Sequence, residues 1–237
     1  LLISGIAQNA KEVLAGDLFV AVQGSKHHGI DFLDEAIENG AVALLTDEKG
    51  ANGRIPTLMV ADPRKVMGEV AAFIYGAPSR DLYSVGITGT NGKTTVTTLL
   101  NQIWQEAKWS SGLIGTVLTQ IDAEFIPSLH TTPEAPDLQS LFAVMRERHV
   151  RAMVMEVSSH ALTLGRVSGT HFRAVGFTNL SQDHLDFHGD MESYFKSKAR
   201  LFTFEFADLA FINIDDEYGK RLAESIEVPV VKLSRHQ

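Results

Sequence analysis

A glycine-rich loop between a predicted strand and a predicted helix constrains this sequence more than any other feature. Residues 86–95 read GITGTNGKTT and contain G-x-x-G-K-T directly after the apolar run 84–88. Glycines let successive backbone N–H groups turn inward around phosphate oxygens, and the start of a helix adds positive potential. Lys93 would reach the outer phosphates, and the Thr94 hydroxyl would hold Mg²⁺. The alternative interpretation is an ordinary strand-turn-helix junction that binds nothing.

Short apolar strands alternate with helical patterns on both sides of this loop. Strands are predicted at 17–22, 41–46, 57–60, 84–88, 112–117, 152–157, 175–178, 209–214 and 228–233, and helices at 32–37, 63–74, 93–106, 133–147, 191–202 and 216–225. This alternation predicts an α/β fold with a mostly parallel sheet. The stretch GAPSR at 76–80 is the best linker candidate. We therefore predict a small α/β domain over residues 1–80 and a larger P-loop domain over residues 81–237.

Composition excludes several classes of protein. The chain has 237 residues, of which 44% are hydrophobic and 21% charged, with 21 Lys+Arg against 29 Asp+Glu and no cysteine. These proportions exclude a disordered or collagen-like chain. The absence of cysteine excludes disulfides and thiolate metal sites. The acidic balance argues against nucleic-acid binding, and the apolar runs are too short to span a bilayer, so we expect neither partner.

Polar side chains cluster where predicted strands end. Glu156 ends the strand 152–157, and ligands of open α/β sheets bind at such ends, where a carboxylate beside a phosphate loop suits Mg²⁺. Residues 183–188 hold two histidines and two aspartates after another strand. Zinc fits these residue types, but phosphate chemistry favours Mg²⁺. The segment HTTP at 130–133 allows two interpretations of Thr132. It is either the N-cap of a helix whose first residue is Pro133, or a residue that contacts the substrate.

Several segments together resemble the MurE branch of the Mur ligase family. They are GDLFVA at 16–21, TGTNGKTT at 88–95, HTTP at 130–133, EVSSHAL at 156–162, TNLSQDHLDFHG at 178–189, YFKSK at 194–198 and NIDD at 213–216. The resemblance implies a bacterial cytoplasmic enzyme of peptidoglycan precursor synthesis. It would use ATP and Mg²⁺ to add a diamino acid to UDP-MurNAc-L-Ala-D-Glu through an acyl phosphate. Meso-diaminopimelate is the preferred diamino acid and L-lysine the alternative, and a monomer is expected.

The resemblance also assigns roles to individual residues. The catalytic residues it implies are Lys93, Glu156, His184 and Lys198. Those implied to bind ATP are Gly89, Thr90, Asn91, Gly92, Lys93, Thr94, Thr95, Asn213 and Asp216. Those implied to bind the UDP-MurNAc-dipeptide are Ser25, Lys26, His27, His130, Thr131, Thr132, Ser158 and Arg166. Those implied to hold Mg²⁺ are Thr94, Glu156, His184 and Lys198, the last as a CO₂-derived carbamate that requires a lowered lysine pKa.

The sequence departs from the family in two respects. Asn9-Ala10-Lys11 stands where the family has D-S-R at the uridine end. The family's C-terminal amino-acid-binding domain is not in this sequence, so we expect an incomplete ATP-binding domain that cannot complete ligation alone. Two alternatives remain: a folylpolyglutamate-synthetase-like or other amide ligase of the same superfamily, and a non-catalytic module derived from a ligase. The front segment GDLFVA argues against a folate enzyme, and the retained Lys93, Glu156 and His184 argue against an inactive module.

Overall fold

The N-terminal part of the chain forms a four-stranded parallel sheet. The computed structural model describes residues 2–24, 26–50, 53–126 and 131–236. The strands are β1 (Gly5–Ala7), β2 (Asp17–Val20), β3 (Ala43–Thr46) and β4 (Thr57–Met59), in that spatial order. Helices α1 (Leu33–Glu38) and α2 (Pro63–Ile74) accompany them. Helix α2 begins as predicted, because the Asp62 carboxylate accepts hydrogen bonds from the backbone N–H groups of Arg64 and Lys65.

The remaining strands form an eight-stranded sheet. They are β5 (Tyr83–Thr88), β6 (Ser111–Ile114), β7 (Thr119–Ile121), β8 (Glu124–Ile126), β9 (Ala152–Glu156), β10 (Ala174–Phe177), β11 (Ala210–Asn213) and β12 (Val230–Leu233), in the order β12-β11-β10-β5-β9-β6-β7-β8. All pairs are parallel except β6–β7 and β7–β8. The predicted α/β class is confirmed, and the carboxyl ends of β9, β5 and β10 meet at one edge. The domain boundary at residue 80 stays a prediction.

Six α-helices lie in the described residues of this second part. They are α3 (Lys93–Glu106), α4 (Ala135–Glu147), α5 (Ser159–Thr163), α6 (Leu185–His188), α7 (Met191–Ala199) and α8 (Glu217–Ser225). Within the described residues, no helix is long and apolar enough to cross a membrane. Leu138, Phe142 and Met145 lie on one face of α4 and are fully buried in the main core cluster. Burying a side chain of this size contributes about 1.5–3 kcal/mol, so α4 anchors one layer on the sheet.

Helix α3 has the bounds that its sequence predicts, but its buried face carries two polar residues beside Trp104. Thr97 and Asn101 are buried, whereas Leu99 and Ile103 are 53% and 62% exposed. The Asn101 amide oxygen accepts a hydrogen bond of 2.8 Å from the Ser111 hydroxyl of β6. This hydrogen bond to the neighbouring strand satisfies the buried Asn101 amide oxygen.

Several details of the prediction differ from the structure. The strand predicted at 112–117 ends at Ile114, so Thr116 follows the strand instead of lying in it. The helix predicted to begin at Pro133 begins at Ala135 with Glu134 at the N-cap, and Thr132 does not cap it. The hairpin of β7 and β8 was not predicted, because its strands have only three residues each.

Helix α2 packs directly against the turn that follows α5. A Cβ atom added to Gly68 would lie 2.4 Å from the Ser168 carbonyl oxygen, and one added to Gly169 would lie 2.4 Å from the Gly68 carbonyl oxygen. The two backbones therefore touch with no side chain between them. Ala135, the first residue of α4, is fully buried in the core of the N-terminal sheet. The N-terminal sheet is thus joined to the second part through main-chain contact.

Candidate active site

The glycine loop turns sharply between β5 and α3. Gly89 and Gly92 have φ angles of 144° and 85°, a region that favours glycine. A Cβ atom on Gly89 would lie 1.9 Å from the Thr178 hydroxyl oxygen, so no side chain fits there. The Lys93 Nζ atom donates to the carbonyl oxygens of Gly89 at 3.0 Å and Thr90 at 2.9 Å. Gly92 offers no side-chain cap to α3, so the first N–H groups of this helix are free to bind an anion.

Residues after β10 hold this loop in place. Thr90 N–H donates to the Asn179 carbonyl oxygen at 2.9 Å, and Asn91 N–H donates to the Asn179 side-chain oxygen at 3.0 Å. The Thr178 hydroxyl donates to the Asn91 carbonyl oxygen at 2.7 Å. The loop is therefore shaped in advance by the neighbouring strand end.

Asn213 and Asp216 lie at the same edge, but their side chains bind backbone groups. The Asn213 amide donates to the Thr178 carbonyl oxygen at 2.8 Å. The Asp216 carboxylate accepts from Leu180 N–H at 3.1 Å and from Gly219 N–H at 2.6 Å, where it caps α8. Both side chains thus brace the strand ends beside the phosphate loop.

Glu156 ends β9 and is 1% exposed. Its Oε1 atom accepts a hydrogen bond from the Thr94 hydroxyl at 3.1 Å and from Thr116 N–H at 2.8 Å. Its Oε2 atom accepts a hydrogen bond from the Thr116 hydroxyl at 3.1 Å. Sequence reasoning missed Thr116 because it placed this residue inside a strand. The available signal was its position just after β6, the strand parallel to β9.

The donor set around Glu156 suits Mg²⁺. It consists of the Thr94 hydroxyl oxygen and the Glu156 carboxylate, which the N–H and hydroxyl groups of Thr116 hold in place, and Mg²⁺ prefers oxygen ligands. Among the described residues, no group of three or more His, Cys, Asp or Glu side chains could hold a metal ion. A magnesium ion here would therefore take most of its ligands from phosphates and water, as Mg²⁺ commonly does in nucleotide sites.

Lys198 on α7 is buried next to the phosphate loop. Its Nζ atom donates to the Gly89 carbonyl oxygen at 2.9 Å, the same oxygen that Lys93 contacts. It also lies 4.6 Å from the centre of the Tyr194 ring. Burial, and then the charge of Lys93, lowers the pKa of Lys198 to about 7. Burial also lowers the pKa of Lys93, against the opposing charges of Glu156 and Asp183.

The structure separates Lys198 from the nearby Lys196, whose side chain is 72% exposed. Near neutral pH, a sizeable fraction of the Lys198 amine is uncharged, and this is the form that reacts with CO₂. The pKa of Lys198 is thus lowered in the direction that a carbamate at this residue would require.

His184 lies on the Tyr194 side of the site. It has φ 51°, and its ring centre is 6.2 Å from that of Tyr194 and 4.8 Å from that of His160. His188 Nε2 lies 3.0 Å from the Ser159 hydroxyl oxygen. Burial lowers the pKa values of both His160 and His188. Three imidazole rings thus gather at this end of the cleft, two of which sequence reasoning had not assigned.

The polar residues of the HTTP segment converge on the end of β9. The Thr132 hydroxyl donates to the Glu156 carbonyl oxygen at 3.0 Å and accepts from Ser158 N–H at 3.2 Å. Arg166 donates to the Thr132 carbonyl oxygen at 3.2 Å and pairs with Glu134 at 2.7 Å. These contacts explain why Thr132 does not cap α4. The Thr131 hydroxyl oxygen lies 3.1 Å from that of Thr116.

The residues assigned to the nucleotide sugar at the front of the chain lie elsewhere, in the N-terminal part. Lys26 and His27 are exposed, and His27 Nδ1 lies 3.6 Å from the Asp31 carboxylate. His27, Lys11 and Arg64 are among the residues that line a cavity of about 250 Å³. The predicted site residues Ser25 and His130 lie outside the described residues. The structure thus gives two polar regions, one at the edge of each sheet.

Comparison with known proteins agrees with this architecture. Residues 2–75 match the family model described as Mur ligase family, catalytic domain, and residues 87–237 match the Mur ligase middle domain. The UDP-N-acetylmuramoyl-L-alanyl-D-glutamate–2,6-diaminopimelate ligase of Streptomyces avermitilis is 52% identical over 236 residues, which are 98% of this chain and 46% of the relative. That of Aquifex aeolicus is 45% identical over 220 residues, 93% of this chain and 45% of the relative.

Solved structures give the same result for the fold. A structure of a UDP-N-acetylmuramoyl-L-alanyl-D-glutamate–2,6-diaminopimelate ligase superimposes with a TM-score of 0.85 at 28% identity, covering 99% of this chain and 49% of that one. FolC of E. coli covers only 71% of this chain and 46% of its own, with a TM-score of 0.56 at 19% identity. The chain spans about half the length of the curated relatives it matches. On its sequence, fold and strand-end motifs, this chain belongs to the Mur ligase family.

Proposed function

We propose that the protein is an ATP-dependent amide ligase of peptidoglycan precursor synthesis. It adds a diamino acid, preferably meso-diaminopimelate with L-lysine as the alternative, to UDP-MurNAc-L-Ala-D-Glu. The observation that carries the proposal is the Glu156 carboxylate, which contacts Thr94 of the phosphate loop on one side and Thr116 on the other. The names of the matched relatives support the substrate and the preference for diaminopimelate. The activity is that of the whole protein, and we assign it to the bacterial cytoplasm.

The proposed reaction has two steps. A carboxylate oxygen of the D-Glu side chain attacks the terminal phosphorus of ATP, which forms a C–O–P bond and releases ADP. The amine of the diamino acid then attacks the acyl carbon, which forms the amide, releases phosphate and loses one proton. The first step brings two anions together, so positive charge between them lowers its barrier.

The residues proposed to bind ATP lie at the edge of the eight-stranded sheet. The uncapped start of α3 and the Lys93 amine bind the phosphates, and residues 89–95 shape the loop around them. Thr94 and Glu156 would hold Mg²⁺, which supplies charge neutralisation at the transferring phosphate when bound. Asn213 and Asp216 contribute by bracing the strand ends, since their side chains are engaged with backbone groups.

Lys198 is proposed to act as a carbamate. Its amine condenses with CO₂ to form an N–C bond and releases one proton, which leaves an anionic oxygen donor next to the loop. This group, together with His184, would hold a second Mg²⁺. Lys198→Ala should therefore lose ligase activity and recover part of it when a small carboxylate is supplied. The control Lys196→Ala should keep activity, and full activity in Lys198→Ala would rule out the assignment.

Substrate binding is proposed to use both polar regions. The cavity beside Lys11 and His27 takes the UDP end, in residues 1–80. The dipeptide end is bound within residues 81–237, by Thr131, Thr132, Ser158 and Arg166. The Arg166 guanidinium pairs with a carboxylate of the ligand. Asn9 belongs to the segment that differs from the family's D-S-R, and its side chain accepts a hydrogen bond from Lys11 N–H at 3.2 Å. It therefore shapes the loop, and Lys11 keeps a cation at the cavity.

Calorimetric titration of this chain tests the proposal. UDP-MurNAc-L-Ala-D-Glu should bind at least about tenfold more tightly than UDP-MurNAc-L-Ala, since one charge-assisted hydrogen bond contributes about 1.5–3 kcal/mol. Arg166→Ala should remove most of this difference, whereas Arg148→Ala, at an exposed arginine paired with Glu124, should preserve it. Equal binding of the two ligands by the unmodified chain would contradict the proposed substrate.

A further inference from the structure

The hydroxyl group of Thr116 lies between the two halves of the candidate active site. Its oxygen is 3.1 Å from Glu156 Oε2 and 3.1 Å from the Thr131 hydroxyl oxygen. An ionised carboxylate can only accept hydrogen bonds. The Thr116 hydroxyl donates to Glu156 Oε2, and the same oxygen is within hydrogen-bond distance of the Thr131 hydroxyl. Thr116 is exposed, so a ligand bound in the cleft can reach it.

Thr116 also fixes both oxygens of the Glu156 carboxylate. Its backbone N–H binds Oε1 at 2.8 Å while its hydroxyl binds Oε2. A Cβ atom on the preceding residue, Gly115, would lie 2.6 Å from Oε1, so the carboxylate packs directly against the backbone of this turn. The orientation of Glu156 thus depends on the turn that follows β6.

These contacts form a continuous chain of hydrogen bonds from Thr94 through Glu156 and Thr116 to Thr131. Its first member lies on the phosphate loop, and its last lies in the segment that we assign to the acceptor substrate. A ligand that moves the hydroxyl at either end changes the donors available to one shared carboxylate. Hydrogen-bond chains in partly buried sites reinforce one another in this way.

We propose that Thr116 is a positioning residue that couples nucleotide binding to acceptor binding through Glu156. The identities of the two ligands rest on the proposed function, while the coupling path rests on the contacts of Thr116. Coupling between two binding sites is reciprocal, so each ligand must raise the affinity for the other by the same factor. We expect a factor of about five or more in the unmodified chain.

The test is a set of calorimetric titrations of this chain. A non-hydrolysable ATP analogue and UDP-MurNAc-L-Ala-D-Glu are each titrated alone and with the other ligand present. Thr116→Val keeps the backbone N–H bond but removes the hydroxyl, so its coupling factor should fall to about one. Thr116→Ser restores the hydroxyl and should restore the coupling. Thr98→Val, at an exposed threonine of α3, is the matched control and should couple normally.

A second variant keeps the test decisive if Thr116→Val does not fold. Thr131→Val breaks the chain one link further on and leaves every hydrogen bond of Glu156 in place, so coupling should again be lost. Wild-type coupling in a folded Thr116→Val or Thr131→Val variant would overturn the inference. Independent binding of both ligands to the unmodified chain would overturn it while leaving the proposed function intact. Binding of neither ligand would overturn both.

Discussion

Replacing the buried lysine of α7 with methionine, Lys198→Met, tests the electrostatics of the candidate active site without any ligand. Lys198 is 1% exposed, and burial, with the nearby charge of Lys93, lowers its pKa from 10.5 to about 7. In the unfolded chain the amine regains its ordinary pKa, so unfolding takes up a proton between these two pH values. The contribution of Lys198 to the free energy of unfolding therefore rises as the pH rises from 7 towards 10.5.

The size of this effect follows from the two pKa values. Each pH unit over which only the unfolded chain holds the proton adds about 1.4 kcal/mol to the free energy of unfolding. At pH 7 the folded amine is about half protonated, so the gain between pH 7 and pH 9 comes to about 2 kcal/mol. Methionine has a similar length and does not titrate. The stability of Lys198→Met relative to the wild type should therefore fall by about 2 kcal/mol over this range.

Urea unfolding in CO₂-depleted buffer measures this difference at pH 7, 8 and 9. Trp104 and Trp109 are the two tryptophans of the chain and both lie in its second part, so their fluorescence reports the unfolding of the part that contains Lys198. Lys196→Met, at an exposed lysine of the same helix, should follow the wild type. Parallel pH profiles for the wild type and Lys198→Met would refute the reasoning, because they would mean that the folded amine keeps its ordinary pKa.

Three further predictions concern single substitutions. Lys93→Ala should weaken ATP binding at least about tenfold, as measured by calorimetry, since the phosphates lose a cation in the loop; an unchanged affinity would remove Lys93 from the site. Phe142→Ala should lower the free energy of unfolding by about 3–5 kcal/mol, whereas Phe73→Ala, at a residue 86% exposed, should change it by less than about 0.5 kcal/mol. Asp216→Ala should lower the free energy of unfolding, measured in urea, by about 1–2 kcal/mol because α8 loses its N-cap. An unchanged free energy of unfolding would mean that water replaces the carboxylate as the cap.

Helix α3 shows what sequence periodicity can and cannot predict. Its bounds were predicted correctly, because a glycine loop marks its start and apolar residues recur at helical spacing. The same periodicity favours burial of Leu99 and Ile103, yet both are exposed. The buried face instead contains Asn101, which is hydrogen-bonded to the neighbouring strand, and Trp104. The identity of that neighbour is a property of the tertiary fold that a local pattern does not contain.

Glu156 at the end of β9 and Thr132 just before α4 show how far local sequence rules predict the site. Glu156 was predicted from its place at a strand end, and the structure puts it beside the phosphate loop. Of the two roles predicted for Thr132, a helix cap or a substrate contact, the cap is not formed, because hydrogen bonds to the end of β9 hold the side chain. Long-range partners thus override local capping preferences. Thr116 was overlooked for the related reason that the end of β6 could not be located from its apolar pattern.

The sequence alone could not distinguish Lys198 from Lys196 as the buried lysine of α7. Two lysines stand two positions apart on α7, and only the resemblance to the Mur ligases favoured the second. Their burial, 1% exposure for Lys198 against 72% for the side chain of Lys196, depends on which face of the helix meets the loop. No local feature of YFKSK distinguishes them.

The direct backbone contact between α2 and the turn after α5 has a consequence for substitutions at the junction of the two parts. Gly68 and Gly169 let the two main chains touch, so the spacing between α2 and this turn cannot be reduced by repacking side chains. Gly68→Ala would place a Cβ atom 2.4 Å from the Ser168 carbonyl oxygen and force the two main chains apart. Even the smallest side chain at this position should therefore loosen the junction, although it changes no residue assigned to a ligand.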